Sequence, residues 1–169
     1  PAVVKPEVKA AAVVTKTSAA PVIAPAATQA AAVDSFEGKM IADHNHFRAQ
    51  HGVSDLVWNA TLASQSADNA NKCVFAHSGQ QGAGENIAAG SPLSVATTVN
   101  MWALERTQYD FANGGFSSAT GHFTQVAWKD TTSVGCAQKT CDGQTYITCR
   151  YYPAGNYAGE FQNNVFKQV

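Results

Sequence analysis

Apolar side chains first recur at helical spacing from Phe36: Phe36, Met40, Ile41, His44, Phe47 and His51 step by three and four. They predict an amphipathic helix that Gly52 ends from a C-cap position. Leu56 and Trp58 lead into a second helix with Asn59 as N-cap, and its face of Leu62, Ala63, Ser66, Ala67 and Ala70 is small enough for close packing. Between Cys73 and Gly90 the periodicity lapses; Gly79, Gly82, Gly84 and Gly90 punctuate it and predict a loop with at most a brief strand. Ser91-Pro92 predicts the start of a third helix, on which Thr98, Met101, Trp102 and Glu105 share one face. Residues 109–120 form a Gly/Asn/Ser loop carrying three aromatics. The pattern then alternates: Val134, Cys136 and Gln138 on one strand, residues 146–152 on another, with Cys141-Asp142-Gly143-Gln144 as the hairpin turn and Pro153-Ala154-Gly155-Asn156 as the stop.

Composition divides the 169 residues in two. Residues 1–33 are mostly Ala, Val, Pro and Thr, which lack the large apolar side chains of a core and predict a flexible or partly extended segment. Residues 34–169 are enough for one domain with a real core. A net charge of −1 gives no reason to expect nucleic acid or an anionic membrane as partner. No apolar run approaches the roughly 18–20 residues that span a bilayer. Four cysteines, Cys73, Cys136, Cys141 and Cys149, suggest two disulfides and an oxidising, extracellular compartment, with three pairings open. A four-thiolate zinc site is disfavoured because C-x2-C spacing is missing. Asn59-Ala60-Thr61 is an N-glycosylation sequon, which agrees with secretion.

Four residues carry the candidate chemistry: His77, Glu85, Glu105 and His122. Glu105 shares a helix face with the large indole of Trp102, and a carboxylate turned inward needs a partner. Arg48 or Arg106 would make an ion pair; two imidazoles and two carboxylates together would instead suit a divalent transition metal such as zinc. The four lie on different predicted elements without a local H-E-x-x-H spacing, so the residues alone leave their convergence open.

Gly121-His122-Phe123-Thr124-Gln125-Val126-Ala127-Trp128, followed by Lys129-Asp130-Thr131, resembles the first signature of the CAP superfamily, which groups cysteine-rich secretory, antigen 5 and pathogenesis-related proteins. The run from Tyr146 to Tyr157 resembles the second signature, and His44-Asn45, Arg48-Ala49, His51-Gly52, His77-Ser78 and Gly84-Glu85-Asn86 fit as well. The likeness extends from about Phe36 to Phe166. It implies an α/β fold, an α-β-α sandwich with a central antiparallel sheet, preceded here by a disordered Ala/Pro-rich segment. It also implies that His77, Glu85, Glu105 and His122 line a cavity able to take zinc or magnesium, a cation not essential to the fold. The family's disulfides imply Cys73–Cys141 and Cys136–Cys149, each worth roughly 3–4 kcal/mol in the chain-entropy picture. A third pair found in plant members, in the loop before His122, is missing here and leaves that loop less constrained.

Tyr109, Phe111 and Phe116 in that loop resemble the aromatic spacing that fungal members use to bind sterols. The function implied is that of a secreted, non-catalytic binder of sterols or related hydrophobic molecules, with fatty acids a second lipid class. Two alternatives stand beside it. One is a metal-dependent hydrolase or protease using the His/Glu cavity with Ser78 or a water as nucleophile. The other is a host-directed effector, acting intact or through a peptide released at Pro153. Plant members release theirs near C-N-Y-x-P-x-G-N, where this chain has Arg150 in place of Asn.

Overall fold

The computed structural model describes residues 4–9 and 32–169. Helix α1 (Phe36–Ala49) starts where the Ser35 hydroxyl accepts the Gly38 N–H at 3.0 Å and buries Met40, His44 and Arg48. Gly52 follows its end at φ +65°, a left-handed conformation that turns the chain back. Strand β2 (Val57–Trp58) leads into α2 (Ala60–Ala70), whose first free N–H groups, of Thr61 and Leu62, both donate to Asn59 Oδ1. Strand β3 (Gly84–Ser91), helix α3 (Val95–Leu104) with a 3-10 turn (Glu105–Gln108), and helix α4 (Gly121–Val126) come next. Strands β4 (Ser133–Cys141) and β5 (Gln144–Tyr152) form a hairpin, and a short α5 (Phe161–Asn164) closes the chain.

Within the Ala/Pro-rich segment, Val4–Lys9 forms strand β1, antiparallel to β3; residues 1–3 and 10–31 lie outside the described residues. The sheet runs β1-β3-β5-β4-β2. It is antiparallel through four strands, and the two-residue β2 adds to β4 in parallel. Helix α2 packs on the β4–β5 hairpin, and Ser66 Oγ donates to the Gly135 carbonyl at 2.7 Å. The contact needs glycine: a Cβ at Gly135 would collide with the Asn59 and Ala63 backbone. Helices α1, α3 and α4 bring Met40, Val99, Trp102 and Val126 into one core with Val134, Ile147 and Tyr151 of the sheet. The result is the expected three-layer arrangement of helices and sheet. Cys73 joins Cys141, and Cys136 joins Cys149 across directly opposed positions of β4 and β5.

Two sequence expectations need correction. The Gly-rich stretch holds an eight-residue strand rather than a brief one. Its Ala88, Ala89 and Gly90 have little intrinsic strand preference, yet pairing on both edges and burial between layers fix them as β3. The third helix starts after Ser94, not at Ser91-Pro92, because Ser91 still pairs in the sheet and the Ser94 hydroxyl takes the Thr97 N–H at 3.1 Å.

Candidate functional site

The four His and Glu residues form two imidazole–carboxylate pairs. His122 heads α4 and is buried. Its Nδ1 donates to Glu105 Oε1 at 2.7 Å, while its backbone N–H and that of Phe123 donate to Glu105 Oε2 at 3.0 and 3.1 Å. Glu105 thus satisfies two donors that the start of α4 leaves without intrahelical partners. Neither arginine is needed: Arg48 donates to the Ser54, Val126, Trp128 and Thr131 carbonyls, and Arg106 reaches Gln50 and lies over the Phe47 ring. The Trp102 indole stacks on the His122 ring at 6.0 Å and 10°.

The second pair joins the Gly-rich loop to β3. His77 Nδ1 donates to Glu85 Oε1 at 2.9 Å, and the Ser78 N–H donates to the same oxygen at 2.8 Å. Burial pushes the Glu85 carboxyl up, but the hydrogen bonds from His77 and Ser78 outweigh it and hold it below the usual range. Its other oxygen accepts from Arg150 Nη1 at 3.3 Å. Asn86, next to Glu85 on β3, donates to the His122 carbonyl at 3.2 Å and so ties the two pairs through one strand.

A carboxylate holding Nδ1 is the arrangement that orients metal-ligating histidines, and it makes Nε2 the end each ring would present to a cation. Glu85 thus orients the His77 ring and Glu105 the His122 ring. Among the described residues no three His, Cys, Asp or Glu side chains form a group able to hold a metal ion. A divalent ion held there would supply Lewis-acid polarisation.

The aromatic loop lies over a second core cluster of Phe123, Ala127, Trp128, Phe161 and Val165. Tyr109 belongs to that core, at 8% exposure. Phe111 and Phe116 are half-buried, with exposed loop residues around them. Phe111 meets Tyr109 edge-on at 4.9 Å and lies nearly parallel to the buried His51 ring at 6.2 Å.

The sequence singled out neither Arg150 nor Tyr151 as a partner of the site. Tyr151 Oη accepts from Asn86 at 3.3 Å and donates to His44 Nε2 at 2.8 Å, since His44 Nδ1 already donates to the Met40 carbonyl. Alternation along β5 was the available signal: Arg150 and Tyr151 sit opposite Glu85 and Gly84 in register and take opposite faces of the sheet.

The sequence profile described as the cysteine-rich secretory protein family, CAP, matches residues 41–151. This chain belongs to the CAP family. It is similar to Protein PRY2 of Saccharomyces cerevisiae, 43% identical over 137 residues that cover 77% of this chain and 41% of that protein. The chain therefore spans less than half of the PRY2 length. Pathogenesis-related protein 1 of Arabidopsis thaliana is 37% identical over 123 residues, covering 69% of this chain and 76% of its own. Among solved structures, the one titled "Crystal structure of NaASP2 with Zn2+" shares the CAP fold at a TM-score of 0.65 and 23% identity, covering 80% of this chain and 87% of that one.

Proposed function

We propose that this CAP domain is a secreted, non-catalytic binder of sterols and related small hydrophobic molecules, and that the 109–116 loop is the binding element. The observation that carries the reading is the half-buried state of Phe111 and Phe116 on an exposed, Gly-containing loop above an apolar cluster. A flat apolar ligand slid between these rings and the cluster gains about 25 cal/mol per Å2 of surface buried. Two disulfides and membership of a family described as secretory support extracellular action. Fatty acids are a second lipid class for this reading. A groove of about 390 Å3 between α1 and α3 is lined by Asp43, His46, Phe47, Ala96, Thr97 and Asn100.

The cation reading is kept as part of this proposal: the cavity of His77, Glu85, Glu105 and His122 would take zinc or magnesium, and the fold would not depend on it. A hydrolase reading is not favoured, because Ser78 Oγ serves as an acceptor for Arg150 Nη1 and the Gln80 N–H.

The test is a titration of the whole chain with a labelled sterol, with and without EDTA. Binding is expected to be saturable and unchanged by EDTA, and Phe111→Ala with Phe116→Ala should weaken it at least about tenfold, or about 1.4 kcal/mol. Unchanged binding in the double variant removes the loop from the account.

A further inference from the structure

Tyr109 opens the aromatic loop, but its ring belongs to the apolar cluster beneath it. It meets Phe111 at 4.9 Å and Phe123 at 5.7 Å, both edge-on. The chain that follows is held down: the Asp110 carboxylate accepts the Ala112 and Asn113 N–H groups at 2.9 and 3.2 Å, and Gln162 Nε2 donates to the Ala112 carbonyl at 3.0 Å. Gly114 and Gly115, at φ +65° and +113°, then lead to Phe116. A Cβ at Gly115 would meet nothing within 4 Å, so the chain is unpacked at that point. The Tyr109 hydroxyl reaches it. Burial pushes the hydroxyl up and the Gly115 backbone N–H opposes the rise without closing a hydrogen bond, so the phenol keeps its proton at neutral pH. Among the described residues the buried Oη has no hydrogen-bond partner. Folding thus leaves a proton donor against Phe111 and Gly115, and a buried donor of this kind is costly until an acceptor reaches it.

We propose that Tyr109 is the specificity-determining residue of this loop: its hydroxyl donates to the one oxygen of an otherwise apolar ligand. The inference rests on the reading of the loop as a sterol-binding element. A ligand lying between Phe111, Phe116 and the cluster around Phe123 gives up the water at its oxygen, and these apolar rings return nothing for it. The Tyr109 hydroxyl is the donor beside them. A hydrocarbon of the same shape neither uses that hydroxyl nor loses by it, since the hydroxyl is unpaired with or without it. His51 is the other polar group on the same rings, 6.2 Å from Phe111 and 5.1 Å from Phe123. Its Nδ1 donates to the Phe166 carbonyl at 2.7 Å and burial keeps the ring neutral, so the unpartnered Nε2 can accept but offers no proton to a ligand oxygen.

Competition of cholesterol and of cholestane, the same ring system without oxygen, against a labelled sterol on the full chain tests this, each ligand delivered from cyclodextrin. Tyr109→Phe, which removes only the unpaired hydroxyl, is expected to bind cholesterol at least about fivefold more weakly and cholestane within about twofold of the wild type. An equal loss for both ligands would make Tyr109 a packing residue and overturn the inference. So would a Tyr109→Phe protein that keeps the wild-type preference for cholesterol, which would move the polar contact to His51 Nε2. If Tyr109→Phe does not fold, the Tyr109 ring resonances of the wild type decide: they should shift differently with the two ligands, and the same shift with both overturns the inference. Equal affinity of the wild type for both ligands also overturns it, while leaving the sterol reading standing. A wild type that takes up neither ligand sinks the sterol reading, and this inference with it.

Discussion

At the scale of single residues, the chain spends buried polar groups on ties between layers. Asn86, Tyr151, His44 and the Met40 carbonyl form one line of donors and acceptors from β3 through β5 to α1. It works only with a neutral His44, because Nε2 must accept from Tyr151 while Nδ1 donates. Burial lowers the His44 pKa to about 4, opposed by the bond to Met40 and helped by the Arg48 charge. The unfolded chain takes up a proton near pH 6.5, and the folded chain does so only near 4. This stability is therefore complete above about pH 6.5 and is lost as the pH falls toward 4. The buried His51 shifts in the same direction and adds to the loss. Urea unfolding at pH 7, 5.5 and 4 should show a drop of about 3 kcal/mol from His44, reduced in His44→Gln. The same pH slope in both proteins would show that His44 is not the group responsible.

At the scale of elements, Asn59 belongs more to α2 than to any glycan. It is 4% exposed, and its side-chain oxygen caps the helix through Thr61 and Leu62. Asn59→Ala should cost about 1 kcal/mol in thermal or urea unfolding, the usual loss of an N-cap. A variant as stable as the wild type would show the cap to be dispensable. This element was legible because its signal is local: an Asn directly before a face of small residues. Helix α1, the hairpin turn at Asp142 and Gly143, and the β4 and β5 strands were legible for the same reason, each resting on a period or a turn of a few residues. Strand β3 was not, since what holds Ala88-Ala89-Gly90 extended is pairing with strands far away in sequence. The site divides along the same line. The family resemblance implied His77, Glu85, Glu105 and His122, but which Glu orients which His depends on the packing of α4 against the end of α3. The ion pair from Arg150 depends on a β3–β5 register that no local window contains.

At the scale of the whole molecule, the two edges of the sheet are managed differently. On one side the two-residue β2 is too short to template another strand. On the other, β3 is eight residues long, and β1 covers it through Val4↔Ser91, Glu7↔Ala89, Val8↔Ala88 and Lys9↔Ile87. The register shifts between Val4 and Glu7, around Pro6, a residue with no N–H to offer a further strand. Strand β1 is thus a suitable last strand, and the Ala/Pro-rich segment gains a task that its composition did not suggest. The two core clusters draw their buried residues from Met40 onward, so a chain of residues 32–169 should fold with both disulfides and its helices intact. Removing residues 1–31 would instead leave the outer N–H and C=O groups of β3 facing water beside Glu85 and Asn86, an edge able to pair with a second copy. Sedimentation over a concentration series should show the truncated chain associating where the full chain stays monomeric, and β3 amides should exchange faster in the truncated chain at low concentration. Monomeric behaviour at every concentration, with β3 amides protected as in the full chain, would mean that β1 does not guard this edge in solution.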